Sequence, residues 1–274
     1  MNRMMEAAAA AFQFLSRFPI RREIPFTPEV QQRSVIFYPL VGGAIGLTVA
    51  LLGWGLSFAL PVFPASVITL TAWVGLTGGL HLDGWMDSAD ALLSHRSRER
   101  MLEIMKDSRV GAMGVIACTL LLLLKVSLIQ SIFELSGGVW KQEALLLVLA
   151  PVWSRWFMVH AMYRWPVARG SEGLAALFSG LSNLRRLQAG LMAVLVTLVV
   201  IVTLGLVTDS TQLWITGLSA LVLAPFLTWL IGAAVAGRMS RRLGGLTGDT
   251  YGALNELLEA AILLFVVLLL QRWG

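Results

Sequence analysis

The chain has 274 residues, of which 57% are hydrophobic and 14% charged, with a mean hydropathy of +0.76. Soluble domains carry about 25% charged residues, so this composition excludes an ordinary soluble protein and points to a polytopic membrane protein. The net charge of +5 is accounted for by topology, as argued below, and nucleic acid is set aside as a partner; the lone Cys118 excludes a disulfide or a dithiol site.

At the N-terminus, Met1 to Ala11 contains Glu6 and is followed by the aromatic and basic run Phe12 to Arg22. That pattern reads as an interfacial amphipathic helix and not as a cleavable signal. Apolar stretches long enough to cross about 30 Å of hydrocarbon then run over 35–58, 62–80, 111–133, 143–163, 187–208, 212–236 and 252–270. The expected fold is an all-α polytopic helix bundle of about seven transmembrane helices with amphipathic interfacial helices, in one domain over 1–274.

Lysine and arginine mark cytoplasmic segments. Arg3, Arg17, Arg21, Arg22 and Arg33 precede the first span, and Arg96, Arg98, Arg100, Lys106 and Arg109 lie in the loop over 81–110. Arg164, Arg169, Arg185 and Arg186 lie over 164–186, and Arg238, Arg241 and Arg242 over 237–251. All four segments fall on one side of a seven-span chain. Only Lys141 and Arg272 fall on the other, with Lys125 and Arg155 inside spans. The N-terminus is therefore expected in the cytoplasm, the C-terminus outside, and Trp140, Trp214 and Trp273 in an external aromatic belt. Lys125, near the outer end of its span, is expected to snorkel outward.

After the second span comes Gly78-Gly79-Leu80-His81-Leu82-Asp83-Gly84-Trp85-Met86-Asp87-Ser88-Ala89-Asp90. On a helix, Asp83, Asp87 and Asp90 point within about 60° of one another. Three clustered anions near hydrocarbon need a cation, and an all-oxygen set suits Mg²⁺ bound with a phosphate-bearing substrate. His81, His95 and His160 lack a zinc-ligand spacing, although His81 stands where it could orient a carboxylate. Next, Met101, Leu102, Ile104 and Met105 form an apolar stripe opposite charges, which predicts a short helix along the membrane surface. Arg96, Arg98 and Arg100 read as its solvated face. Lys106, Asp107 and Arg109 fall where the chain turns back at Gly111, placing Lys106 and Arg109 to meet a polyanion.

Arg155, roughly 12 Å inside the fourth span, either snorkels or faces the acidic cavity, and the expectation adopted is a contact to the substrate's phosphates. The last motif is Arg241-Arg242-Leu243-Gly244-Gly245-Leu246-Thr247-Gly248-Asp249-Thr250-Tyr251-Gly252. Gly245, Thr247 and Gly248 could bring backbone N–H groups to a phosphate at a helix N-terminus. Asp249 is either a helix cap or a metal ligand. It shares a face with Glu256, and Glu256 and Glu259 are carboxylates inside a span, hence functional candidates.

With these residues in view, the chain resembles the cobalamin synthase family, adenosylcobinamide-GDP ribazoletransferase. The likeness rests on Phe14-Leu15-Ser16-Arg17-Phe18-Pro19, Arg33 with Tyr38-Pro39-Leu40-Val41-Gly42, and Gly78 to Gly84. It continues with Asp87, Asp90, the run Arg98 to Gly111, Ser154-Arg155, Tyr163-Arg164 and Gly244 to Ala253. Ala91 departs from the glycine common at that place, which touches local backbone geometry and not the carboxylates.

The resemblance implies Mg²⁺-dependent transfer of the phosphoryl-cobinamide group of adenosylcobinamide-GDP to α-ribazole or its 5′-phosphate, with release of GMP, in a bilayer and at the cytoplasmic face. A homo-oligomer is compatible with it. The assigned roles are Asp83, Asp87, Asp90 and Asp249 to metal, Lys106, Arg109 and Arg155 with Gly245, Thr247 and Gly248 to substrate, and Asp83 and Glu256 to catalysis, Glu256 as a candidate base. An intramembrane Mg²⁺-diphosphate prenyltransferase would also use an Asp cluster, but not the glycine-rich Asp249 loop or the Lys106 to Gly111 run. A CDP-alcohol phosphotransferase would need an Ala-Arg pair after Asp83-Gly84, where Trp85-Met86 stands. A cation transporter would place its acids near the bilayer midplane.

Overall fold

The structure, a computed structural model, describes residues 3–135, 142–170, 172–208 and 211–273. Trp140, Lys141 and the side chain of Trp273, invoked for the external face, lie outside that description. Among the described residues the chain is helical, with one isolated backbone bridge between Val167 and Leu246. The helices are α1 (Arg3–Leu15), α2 (Pro28–Ser34), α3 (Tyr38–Ser57), α4 (Val62–Thr77), α5 (Leu80–Leu93) and α6 (Arg98–Ile104). There follow α7 (Ala112–Leu135), α8 (Leu149–Arg164), α9 (Asn183–Thr208), α10 (Thr211–Leu243) and α11 (Gly248–Trp273).

Six helical runs among the described residues are long and apolar enough to cross a membrane, the first of them continuous from Pro28 to Ser57. The expected second span makes a seventh only as a bent pair, α4 and α5, which meet at 90°. The bend has a local cause. Gly78 and Gly79 both take left-handed conformations, with φ of 64° and 71°, where a Cβ is penalised. The backbone N–H of Arg17 donates to Leu76 O at 2.7 Å, and the Arg17 side chain packs against Gly78 in space a Cβ would fill.

The bend lays α5 across the N-terminal ends of α7 and α11. Gly84 meets the backbone of Asp249 so closely that a Cβ would stand 2.6 Å from its carbonyl oxygen. At the other end, Asp90 accepts from Gly111 N at 2.7 Å and Gly114 N at 2.8 Å. It thereby caps α7 from another helix, because those N–H groups have no partner within α7. Removing such a cap costs about 1–2 kcal/mol. Asp90→Ala is thus expected to unfold earlier on heating in detergent; equal thermal stability would show that α7 needs no cap.

At the bundle's centre α8 is buried along nearly its whole length, packed by α3, α9, α10 and α11. The apolar exterior lies on α7, α9 and α10, where Leu120, Leu191, Val222 and Phe226 are more than half exposed. That band suits lipid. The expected surface helix shrinks to α6, and its apolar stripe does not face lipid. Met101 and Met105 are buried with Ala91, Ala168 and Leu243, so α6 is clamped onto the protein.

The segments predicted to share a side do meet at one end. Leu246 N donates to Pro166 O at 2.8 Å, and Ala168 N to Leu246 O at 2.9 Å. A guanidinium nitrogen of Arg242 donates to Leu92 O at 2.8 Å. One of Arg98 reaches Ala168 O at 3.3 Å.

Candidate active site

Asp83 and Asp87 stand on α5, and Asp249 opens α11 where the two helices touch. The start of α11 is fixed without using Asp249. Thr247 Oγ1 accepts from Thr250 N at 3.2 Å, while Thr247 N donates to Thr250 Oγ1 at 2.8 Å. Thr247 is therefore the cap, in a reciprocal arrangement that satisfies the first turn. Thr247 Oγ1 also donates to Asp249 at 3.2 Å, so this buried hydroxyl serves the loop. Gly245 N donates to Ser240 O at 3.0 Å, which leaves Gly248 as the loop glycine that borders open space.

Four carboxylates, Asp83, Asp87, Asp90 and Asp249, lie close enough to repel one another, and Arg169 is the cation beside Asp249. Arg169 reaches Asp249 at 3.3 Å and also donates to Leu102 O at 3.4 Å. Asp87 is half-buried and lies within the field of Asp83, Asp249 and Asp90, with Arg169 the cation nearby. The set carries more negative than positive charge, so it has room for a further cation. Among the described residues no group of three or more His, Cys, Asp or Glu side chains is arranged to hold a metal ion. Mg²⁺ does not require one, since it keeps several waters and binds through one or two carboxylates plus substrate phosphates. The residues present therefore fit that ion in donor chemistry and in charge.

Lys106 and Arg109 are exposed. Lys106 pairs with Glu172 at 3.1 Å, and Arg109 makes a two-pronged contact with Asp107 at 3.0 and 2.8 Å that draws the Asp107 pKa down to about 2. Arg169, by contrast, is the cation on the carboxylates. Sequence reasoning counted it only as a topology signal, because nothing local separates it from Arg164 or Arg185; only the docking of its loop on α6 and α11 does so.

Deeper lies a second charged group. Lys125 Nζ reaches Glu256 and Glu259, each at 2.6 Å, and a guanidinium nitrogen of Arg155 reaches Glu259 at 2.6 Å. All four side chains are at most 5% exposed. The expected outward snorkelling of Lys125 is overturned: the lysine turns inward to two carboxylates and lies 5.1 Å from the centre of the Trp73 ring. Arg155 meets a protein carboxylate where a phosphate contact was expected. Glu256 is engaged by Lys125 and sits two turns beyond Asp249 on α11, about 10 Å along the axis. The cluster holds two cations and two anions, the composition that makes burial tolerable. Asn255 Nδ2 extends it, donating to Glu259 at 3.1 Å and lying 3.1 Å from His81 Nδ1 on α5.

Between α5 and the first turns of α11 opens a cavity of about 150 Å³ that has Asp83, Gly248 and Asp249 in its wall. Against this geometry stands the sequence comparison: the profile of the cobalamin-5-phosphate synthase family matches residues 7–267. The chain belongs to that family. A relative from Desulforamulus reducens, named adenosylcobinamide-GDP ribazoletransferase, is 41% identical, with 98% of each chain covered. Relatives of the same name from Pseudomonas syringae and Brevibacillus brevis are 42% and 38% identical, covering 94% and 96% of this chain and 98% of each relative. No solved structure matches. For a member of the cobalamin-5-phosphate synthase family, the carboxylate-lined end of the bundle is the natural place to look for chemistry, since α5, α6 and the Asp249 loop converge there.

Proposed function

We propose that this chain transfers the phosphoryl-cobinamide group of adenosylcobinamide-GDP to a hydroxyl of α-ribazole or its 5′-phosphate, releasing GMP and completing the nucleotide loop of cobalamin. The observation that carries this reading is the convergence of Asp83, Asp87 and Asp249 around a single guanidinium, in a chain whose relatives bear that enzyme's name. One or two of Asp83, Asp87 and Asp249 would hold Mg²⁺ together with the substrate's phosphates. Such an ion would supply neutralisation of the phosphate oxygens and of charge developing on the leaving group.

The chain's own residues do the rest. Asp90 adds negative charge while its oxygens secure α7. Arg169 steadies Asp249 and offers a cation beside the phosphates. Lys106 and Arg109, on the exposed rim, meet the guanylyl side of the substrate by exchanging Glu172 and Asp107 for phosphate. Asp83, exposed in the cavity wall, is the carboxylate placed to take the proton of the attacking hydroxyl. Arg155 and Glu256 act from below as parts of the ion cluster that fixes α7, α8 and α11 together.

The attack is tested by labelling. With the cobinamide-linked phosphorus labelled, the label is expected in the corrinoid product; with the guanosine-linked phosphorus labelled, it is expected in GMP. Attack at the other phosphorus would instead release cobinamide phosphate and carry the guanosine-linked label into a ribazole–guanosine diester.

The reading also places the site on the cytoplasmic face of the cell membrane, because the basic segments gather at this end. Cysteine at Ser94 or Ser240 is expected to react with an impermeant thiol reagent only in inside-out vesicles. Labelling in intact cells would contradict this orientation.

A further inference from the structure

The cavity beside Asp83 has a composition that the phosphate chemistry leaves unused. Apart from the Asp83, Gly248 and Asp249 edge, its wall is apolar: Phe14 from α1, Met158 and Met162 from α8, and Ala175 and Phe178 from the 3₁₀ turn Leu174–Phe178. Two buried polar groups interrupt it. His81 and Tyr251 line the cavity at 2% and 3% exposed, and neither His81 Nε2 nor the Tyr251 hydroxyl has a hydrogen-bond partner among the described residues.

The state of that nitrogen follows from its neighbours. The Glu259 carboxylate, held ionised by Lys125 and Arg155, can only accept, so the Asn255 group facing it is the NH₂. The second hydrogen of the same NH₂ then points to His81 Nδ1, which must accept it. Nε2 is thereby the ring nitrogen left for a ligand. The wall thus offers flat apolar and sulfur-bearing surface with an imidazole nitrogen and a phenol hydroxyl beside it, which suits an aromatic N-heterocycle.

Size narrows the occupant. Pockets for whole drug-sized or cofactor-sized ligands run to roughly 300–1,000 Å³, so about 150 Å³ accepts one fused ring system and not a corrin. We infer that this cavity is the subsite for the fused bicyclic base of the ribazole acceptor, with Ala175, Phe178 and Met162 setting which bases fit. This inference rests on the function proposed above. It also explains how the acceptor is aimed: a base seated here leaves its ribose at the Asp83 and Asp249 edge.

The test compares acceptors. In Ala175→Phe the added ring occupies the cavity. KM for α-ribazole is expected to rise about tenfold or more, the scale at which apolar pockets discriminate by one or two methyl groups. KM for adenosylcobinamide-GDP is expected to stay unchanged, and the analogue lacking the two ring methyls is expected to lose less. An equal rise for both acceptors, or an unchanged KM for α-ribazole, would overturn the subsite.

Should Ala175→Phe fail to fold, Ala175→Cys in a Cys118→Ser background gives a second reading. Binding of α-ribazole is expected to slow modification by a small methanethiosulfonate, and GMP is not. Protection by GMP alone, or by neither, would refute the inference. If the unmodified enzyme turns over no α-ribazole at all, the function itself fails, a result distinct from normal turnover with an insensitive Ala175.

Discussion

Asp83→Asn, Asp87→Asn and Asp249→Asn are each expected to lower turnover by at least about 10²-fold, the scale of losing one preorganised charge-stabilising group, while the protein remains folded. Each swap conserves size and deletes a charge from a set of four carboxylates of which Asp249 is paired with Arg169. The fold should tolerate it, because losing one charge relieves repulsion among Asp83, Asp87, Asp90 and Asp249. The measurement is initial rate against Mg²⁺ concentration, with thermal unfolding in detergent as the control. Near-normal rates at limiting Mg²⁺ would remove these residues from the metal's coordination. Loss of folding would make them structural.

Glu259→Leu is expected to have the largest effect on stability, about 3–5 kcal/mol, as found when one partner of a buried ion pair is removed. It leaves Lys125 and Arg155 with Glu256 as their one remaining carboxylate in a fully buried setting. Glu259→Leu combined with Arg155→Leu restores the balance of one lysine with one glutamate, so the double variant should be more stable than Glu259→Leu alone. Additive losses would show that the four side chains do not act as a unit. The same variants bear on the site, because the cluster holds Asn255 and, through it, His81.

The membrane class, the helical architecture and the gathering of the basic segments at one end were legible in the sequence, because hydropathy and charge are local signals. So was the Asp83 and Asp87 face, set by helical period. The bend at Gly78 was not. Paired glycines permit a turn without fixing its angle, and here the angle depends on Arg17, some sixty positions earlier. Side-chain partners were the least legible. Lys125, Arg155, Glu256 and Glu259 look from sequence like four separate anomalies inside spans, and only the packing of α7 and α8 on α11 makes them one neutral group. Asp90 and Thr247 have a structural task that the motifs did not reveal: the side chains of both are engaged as helix caps.

The central claim is that the carboxylate-lined end of the bundle joins two specific substrates at a phosphorus atom. It is tested most directly by reconstituting the purified protein in liposomes with Mg²⁺, adenosylcobinamide-GDP and α-ribazole, and quantifying GMP beside the corrinoid. The account predicts one GMP per completed corrinoid, formed only when metal and both substrates are present. Absence of GMP under every lipid and detergent condition, or equal GMP release without the acceptor, would contradict it.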